Sequence, residues 1–275
     1  MRKAKILYVS QEIFPFLPKT EISEISTNLL QSVNEKGREI RVFMPRFGVI
    51  NERRHQLHEV IRLSGMNLVI NDTDHPLIIK VASIPAARMQ VYFIDNEDYF
   101  HRKNVFANDK NKFFDDNDER SMFFCKGVIE TVKKLGWAPD IIHCHGWMTA
   151  LLPMYLKKMH ADDPHFSEAK LIYSAYNSSE KEVLNAKFPK KLEMDGFTKK
   201  DIKKISDPNI VNLNKLAVEY ADAIIEGSAE LPKELKKCIS DSGKSSLGYQ
   251  SPDNFLKAYT DFYTSVLEEV PVLAS

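Results

Sequence analysis

No charge of either sign is in excess in this chain. Its 38 Lys and Arg are matched by 38 Asp and Glu over 275 residues. That balance gives no electrostatic case for a nucleic-acid partner. Cysteine is scarce: Cys125, Cys144 and Cys238 are odd in number and scattered. They exclude a disulfide framework and fit free thiols in a reducing cytoplasm. Long apolar runs are missing too, and no stretch approaches the ~18 residues of a membrane span. The N-terminus "MRKAKILYVSQEIFPF" starts basic, but Ser10, Gln11 and Glu12 interrupt its apolar run. It makes a poor signal peptide and a good first strand. There is neither an internal repeat nor a low-complexity linker. What is present, 43% hydrophobic and 28% charged, is ordinary for a soluble globular protein. The length suits one large α/β domain or two small ones.

The apolar pattern orders the elements. "KILYVS" (5–10) reads as a strand, and Ile22, Ile25, Leu29 and Val33 form one helical stripe. "EKGREIRVFMP" then supplies a turn at Gly37 and a second strand ending at Pro45. This β-α-β order predicts a parallel pair with a right-handed crossover. "LHEVIRL", "MNLVI", "PLIIKVASI" and "MQVYFID" read as short strands with turn residues such as "NDTDHP" between them, an antiparallel or mixed excursion. Residues 99–118 read as a long polar and aromatic surface loop, functional or mobile. A helix follows at about 119–135. "KLIYSAYN" (170–177) and Ala223–Glu226 are further strands. Lys199, Lys200, Lys203 and Lys204 read first as a solvated helix face, with an anion patch as the rarer alternative. In the last helix Phe255, Tyr259, Phe262 and Val266 share a face that reads as a docking surface.

"DIIHCHGWMTALLP" (140–153) concentrates the chemistry. Asp140-Ile141-Ile142 opens a buried parallel strand, Gly146 breaks it, and "WMTALLPMYLKK" reads as a helix. Alternation puts His143 and His145 on one face and Cys144 on the other, which denies one metal three converging ligands. Two readings stay open: histidines satisfied at a strand end, or a polar small-molecule pocket at the strand's carboxyl end.

Several segments together resemble the N-terminal Rossmann-like domain of the bacterial glycogen and plant starch synthases, over most of residues 4–240. "KILYVSQEIFPFLPKT" resembles the first strand and the loop carrying K-T-G-G-L. "REIRVFMPRFG" and "VYFIDNEDYFHR" resemble the second strand and the segment before the long loop. "DIIHCHGWMTALLPMYL" is similar to H-x-H-D-W-H-T-x-L-x-P, "YSAYN" to T-x-H-N, and "NKLAVEYADAIIEGS" to K-x-G-I-x-x-A-D-x-V-x-T-V-S. Weak singly, the motifs are specific in this order.

The resemblance implies an α/β, Rossmann-like fold. The sheet is mostly parallel with helices on both faces, one half of a two-Rossmann-domain glycosyltransferase, and a C-terminal helix is added. It divides the chain into 1–240, the family domain, and 241–275, an extension. The parent activity it implies is glucosyl transfer from ADP-glucose to an α-1,4-glucan. Lys19 and Thr20 are the remnant of the donor loop; His143, His145, Trp147, Tyr176 and Asn177 are the sugar-pocket candidates. No metal, cofactor or confident catalytic residue is expected.

Departures thin this inheritance. Glu21-Ile22 stand where the family has two glycines after Lys-Thr, and the loop is one residue longer at Pro18. A Cβ and a carboxylate then face the donor's phosphates, though Glu21 also complements the helix dipole. Gly146 replaces the family's acid, Met148 a histidine, and Tyr176 the histidine of T-x-H-N; Asn177 is kept. Nothing after Glu234 resembles the second Rossmann domain that holds most donor contacts. The expectation is a cytoplasmic glucan-binding or regulatory relative, partnered by α-glucan, with ADP-glucose as the second candidate, and not by nucleic acid or membrane. The alternative is one half of a split, active synthase whose second domain is a separate chain, or a repurposed domain with an unrelated partner.

Overall fold

The computed structural model describes residues 3–35, 37–85, 89–178 and 182–268. It opens with β1 (Lys5–Ser10), α1 (Glu21–Glu35) and β2 (Glu39–Pro45). β1 and β2 pair in parallel from Lys5↔Glu39 to Val9↔Phe43. Ile22, Leu29, Leu30 and Val33 are buried along one stripe of α1, as the helical spacing predicts.

After α2 (Glu52–His55) come β3 (His58–Glu59), β4 (Met66–Ile70), β5 (Thr73–Ile84) and β6 (Met89–Asp95). β5 pairs antiparallel with β3, β4 and β6, and β6 returns parallel to β2. The mixed excursion is therefore real, with two changes of extent. Asn71 and Asp72 both take positive φ (50° and 62°), so two residues close the β4–β5 hairpin. The expected turn shrinks, and Thr73-Asp74-His75-Pro76 joins the strand, because Asn and Asp tolerate that conformation. "LHEVIRL" pairs only at His58 and Glu59. Beyond them the Ser64 hydroxyl donates to the Val60 carbonyl (3.2 Å) and accepts from Ile79 N–H (3.0 Å), pinning a turn instead.

The rest of the chain alternates: α3 (Glu97–Phe100), α4 (Asn117–Lys134), β7 (Ile141–His145), a 3₁₀ turn at Trp147–Thr149, and α5 (Leu152–Met159). Then follow β8 (Lys170–Ala175), α6 (Phe188–Met194), a 3₁₀ turn at Lys203–Ile205, α7 (Ile210–Tyr220) and β9 (Ala223–Glu226). α8 (Lys233–Asp241), β10 (Ser245–Leu247) and α9 (Phe255–Glu268) complete it. The one helix expected from Trp147 onward is split. Pro153 has no N–H for an i→i−4 bond, so α5 restarts with the proline in its first turn.

The strands lie in the order β10-β9-β8-β7-β1-β2-β6-β5-β3, with β4 on β5. From β10 to β6 every pair is parallel. α4, α5 and α7 pack in series, and α1 packs against α9. Phe255, Tyr259, Phe262, Tyr263 and Val266 are buried, so the aromatic face of α9 is docked on the chain's own core. The expected 241–275 extension thus adds a strand beside β9 and a helix beside α1; its residues beyond 268 lie outside those described. No described helix is long and apolar enough to cross a membrane.

Candidate functional site at the carboxyl ends of the central strands

β7 lies between β1 and β8, in register Tyr8↔His143 and Ser10↔His145 on one side and His145↔Ser174 on the other. Neighbours in register share a face of the sheet. Tyr8, Ser10, His143, His145 and Ser174 therefore gather beneath α1 and α9, all fully buried. His143 Nδ1 is 2.5 Å from the Tyr263 hydroxyl of α9, and its Nε2 is 2.7 Å from the Ser174 hydroxyl. His145 stacks on Tyr8 (centroids 4.3 Å apart) and shares a hydrogen bond with the Tyr176 hydroxyl at 2.9 Å from Nδ1. Its Nε2 is buried without a partner. Burial pushes the His143 pKa down to about 3; it drives His145 well below the ordinary range, and His143 adds to that shift. Both rings are neutral at neutral pH, held as a packed polar cluster.

Cys144 sits on the opposite face, also buried, so the three side chains of the motif do not converge. Among the described residues no group of three or more His, Cys, Asp or Glu is placed to hold a metal ion.

The loop after β1 ends in a reciprocal cap. Ser23 N–H donates to the Thr20 hydroxyl (3.1 Å) and Thr20 N–H to the Ser23 hydroxyl (2.7 Å). Ser23 plays the part that Glu or Gln takes in a capping box. Thr20 also donates to the Glu12 carboxylate at 2.5 Å, and Lys19 pairs with Glu24 at 3.0 Å in the open. Glu21 begins the helix, where a carboxylate satisfies the dipole. It accepts a hydrogen bond from the Ser228 hydroxyl, which itself accepts from Asn177 N–H at 3.0 Å. One chain of contacts thus runs from α1 to the ends of β8 and β9.

Gly146 has φ +82°, and a Cβ added there would lie 2.4 Å from the Gln11 side chain. Gln11 Oε1 accepts from Met148 N–H at 3.3 Å, while its Nε2 donates to Glu12 at 2.9 Å. Met148 is wholly buried beneath this contact. Tyr176 closes against Gly227, whose added Cβ would stand 2.5 Å from the Tyr176 ring. Glycines at 146 and 227 are what let Gln11 and Tyr176 approach so closely.

Trp147 turns away from the histidines. Phe106 and Phe113 of the 101–116 loop pack on it at 5.1 and 5.4 Å. An Ala107↔Phe113 bridge and the Arg102–Asp116 ion pair cross-link that loop. Beside it opens a cleft of about 810 Å³, lined among others by Phe106, Phe113, Asn111, Asp115, Glu182 and Asn185. Aromatic faces next to amides and carboxylates suit a ligand with both apolar ring faces and hydroxyls.

The structure therefore brings His143, His145 and Tyr176 together in a buried cluster. It places Trp147 in an aromatic wall outside that cluster. Lys19 and Thr20 lie at the start of α1, and Asn177 reaches them through Ser228 and Glu21. Gln11, Ser174, Ser228 and Tyr263 are partners that the sequence reading missed. Tyr263 carried a signal, since it lies four residues after Tyr259 on the α9 stripe.

The family model described as starch synthase catalytic domain matches residues 5–245. A glycogen synthase of Chlorobaculum parvum is 32% identical over 268 residues, 97% of this chain and 53% of its own length. One of Chlorobium limicola is 38% identical over 192 residues, covering 70% and 39%. The chain thus spans about half or less of the curated relatives it matches. Among solved structures, the catalytic domain of starch synthase IV from Arabidopsis thaliana bound to ADP and acarbose superposes with a TM-score of 0.72. It is 16% identical and covers 92% of this chain and 53% of that one, which speaks to the fold alone.

Proposed function

This chain belongs to the starch synthase catalytic-domain family, and from that premise we propose that it holds an α-glucan without itself transferring glucose. The parent activity of the family is transfer from ADP-glucose to an α-1,4-glucan. The observation that carries our reading is the Gln11–Gly146 contact. The space a side chain at position 146 would enter is filled by Gln11, and Met148 lies buried below it. The acid and the imidazole that the family aims at the sugar are replaced here by Gly146 and Tyr176. Losing one preorganised transition-state contact costs roughly 10²–10³ in rate.

The donor side supports the same reading. Glu21, tied to Ser228, puts a carboxylate at the α1 N-terminus, where a diphosphate would otherwise be favoured. The acceptor side is better preserved. Phe106 and Phe113, backed by Trp147, line a cleft with polar side chains on its rim, the composition that binds glucose rings by stacking and hydroxyl recognition. We leave Asn177 with Ser228 and Glu21 at the start of α1 and assign His143, His145 and Tyr176 to holding the strand ends in position. The free thiols Cys125, Cys144 and Cys238 fit a reducing compartment, so we place the protein in the cytoplasm.

A second reading, one half of an active split synthase, draws on Lys19 and Thr20, which remain exposed at the start of α1. A paired experiment separates the two. The purified chain is assayed for co-sedimentation with glycogen and for incorporation of radiolabelled glucose from ADP-glucose, alone and with cell extract. Our reading expects co-sedimentation, weakened by Phe113→Ala, and no incorporation. Incorporation lost in Lys19→Ala would establish the split enzyme instead, and absence of both signals would reject glucan binding.

A further inference from the structure

A second concavity lies elsewhere, between the 3₁₀ turn at Lys203–Ile205, the C-terminal half of α7, and α8. It holds about 820 Å³ and sits at the amino ends of β9 and β10, the opposite rim of the sheet from Trp147 and Tyr176. Six lysines line it, from four separate segments, against three carboxylates, Glu219, Glu234 and Asp241. In a chain with a formal net charge of +0, that is a marked local excess.

Two of the six are fixed by the fold. Lys244 Nζ donates to the carbonyls of Val218 (2.8 Å), Glu219 (2.6 Å) and Ala221 (2.5 Å), closing the end of α7. Lys215 is bonded to Glu234. The other four, Lys200, Lys203, Lys204 and Lys237, are exposed and have no carboxylate at ion-pair distance among the described residues. A helical face would have spread Lys200, Lys203 and Lys204 into solvent. The tight turn instead brings them to the rim that Lys237 of α8 completes.

We propose that this groove binds a compact oligophosphate anion. Several ammonium groups around a concavity recognise adjacent phosphates as point charges, without the planar geometry that arginine would impose. The lining has no aromatic residue, so nothing in it would stack on a base. The recognised element is the phosphate chain, whether free or carried by a nucleotide.

The test is calorimetric titration of the chain with inorganic tripolyphosphate, with ADP and with sulfate, at matched ionic strength. Three proteins are compared: wild type, Lys200→Gln/Lys203→Gln/Lys204→Gln/Lys237→Gln, and a charge-matched control, Lys103→Gln/Lys110→Gln/Lys187→Gln/Lys190→Gln. We expect one saturable tripolyphosphate site that tightens as salt is lowered. The groove variant should weaken it on the order of tenfold or more, with the control unchanged. ADP binding lost in the groove variant would support the site and name a nucleotide as its source. Tripolyphosphate binding no tighter than sulfate, or equal loss in groove variant and control, would overturn the proposal. All eight substituted lysines are exposed, so both variants should fold; circular dichroism verifies this.

Discussion

The hydroxyl of Tyr263 reaches His143 Nδ1 at 2.5 Å, across 120 residues of chain. It joins the last described helix to the strand at the centre of the sheet. His143 is thereby satisfied on both nitrogens by protein groups, and the contact anchors α9 to the sheet.

Tyr263→Phe should therefore be costly for so small a change. It keeps the ring and leaves a buried imidazole nitrogen unpaired, at about 1–3 kcal/mol. Urea denaturation of both proteins measures this, and identical midpoints would show that the hydroxyl contributes nothing. Tyr263→Ala should cost more, roughly 3–5 kcal/mol, through the added cavity.

Acid should weaken the fold early. His143 is held at about 3 and His145 well below its ordinary range, whereas both titrate near ~6.5 in an unfolded chain. A depressed pKa means the stability is fully present above ~6.5 and is lost as pH falls toward 3, at roughly 1.4 kcal/mol per pH unit for each ring. Asp118, raised to about 6 by burial, opposes this in the upper part of the window. Comparing wild type with His145→Leu between pH 6.5 and 5 isolates the imidazole. The variant should show the shallower acid slope, and parallel slopes would refute the assignment.

Restoring an acid at 146 should damage the protein. Gly146→Asp puts a Cβ 2.4 Å from Gln11 at φ +82°, and a loss of roughly 1–3 kcal/mol is expected. Gln11→Ala should relieve the steric part. The double-mutant cycle should then give a coupling of about 0.5–3 kcal/mol; strict additivity would mean that the two positions do not compete for space.

Glu21→Gly should raise affinity for ADP. It removes a carboxylate from the helix N-terminus and frees Ser228. Equilibrium dialysis at low salt should show binding tighter in the variant by a factor of about 3–10, the effect of one like charge near a screened surface. Equal affinities would place the diphosphate elsewhere, and a loss confined to the lysine-groove variant would say where.

Much of the sheet was legible because its parallel strands are buried on both faces and read as apolar runs. β1 and β9 fall where "KILYVS" and Ala223–Glu226 placed them. The same-face relation of His143 and His145 follows from strand alternation alone. The split at Pro153 was available in principle, since a proline cannot extend a turn already begun. What surrounds the histidines was not legible. Gln11 meets Met148 across 137 residues, and Ser228 meets Glu21 across 207. No periodicity records contacts made by the fold as a whole. The lysine segment shows the same limit: its charge was plain, but its curvature was not, and curvature turns a solvated row into a groove.

The dependence of β7 on α9 also has an order in time. A ribosome adds roughly 5–20 residues per second, so the 120 residues separating His143 from Tyr263 take about 6–24 s to make. Throughout that interval His143 Nδ1 has no Tyr263 hydroxyl to meet it. The polar seal on β7 is thus completed only after α9 has been made.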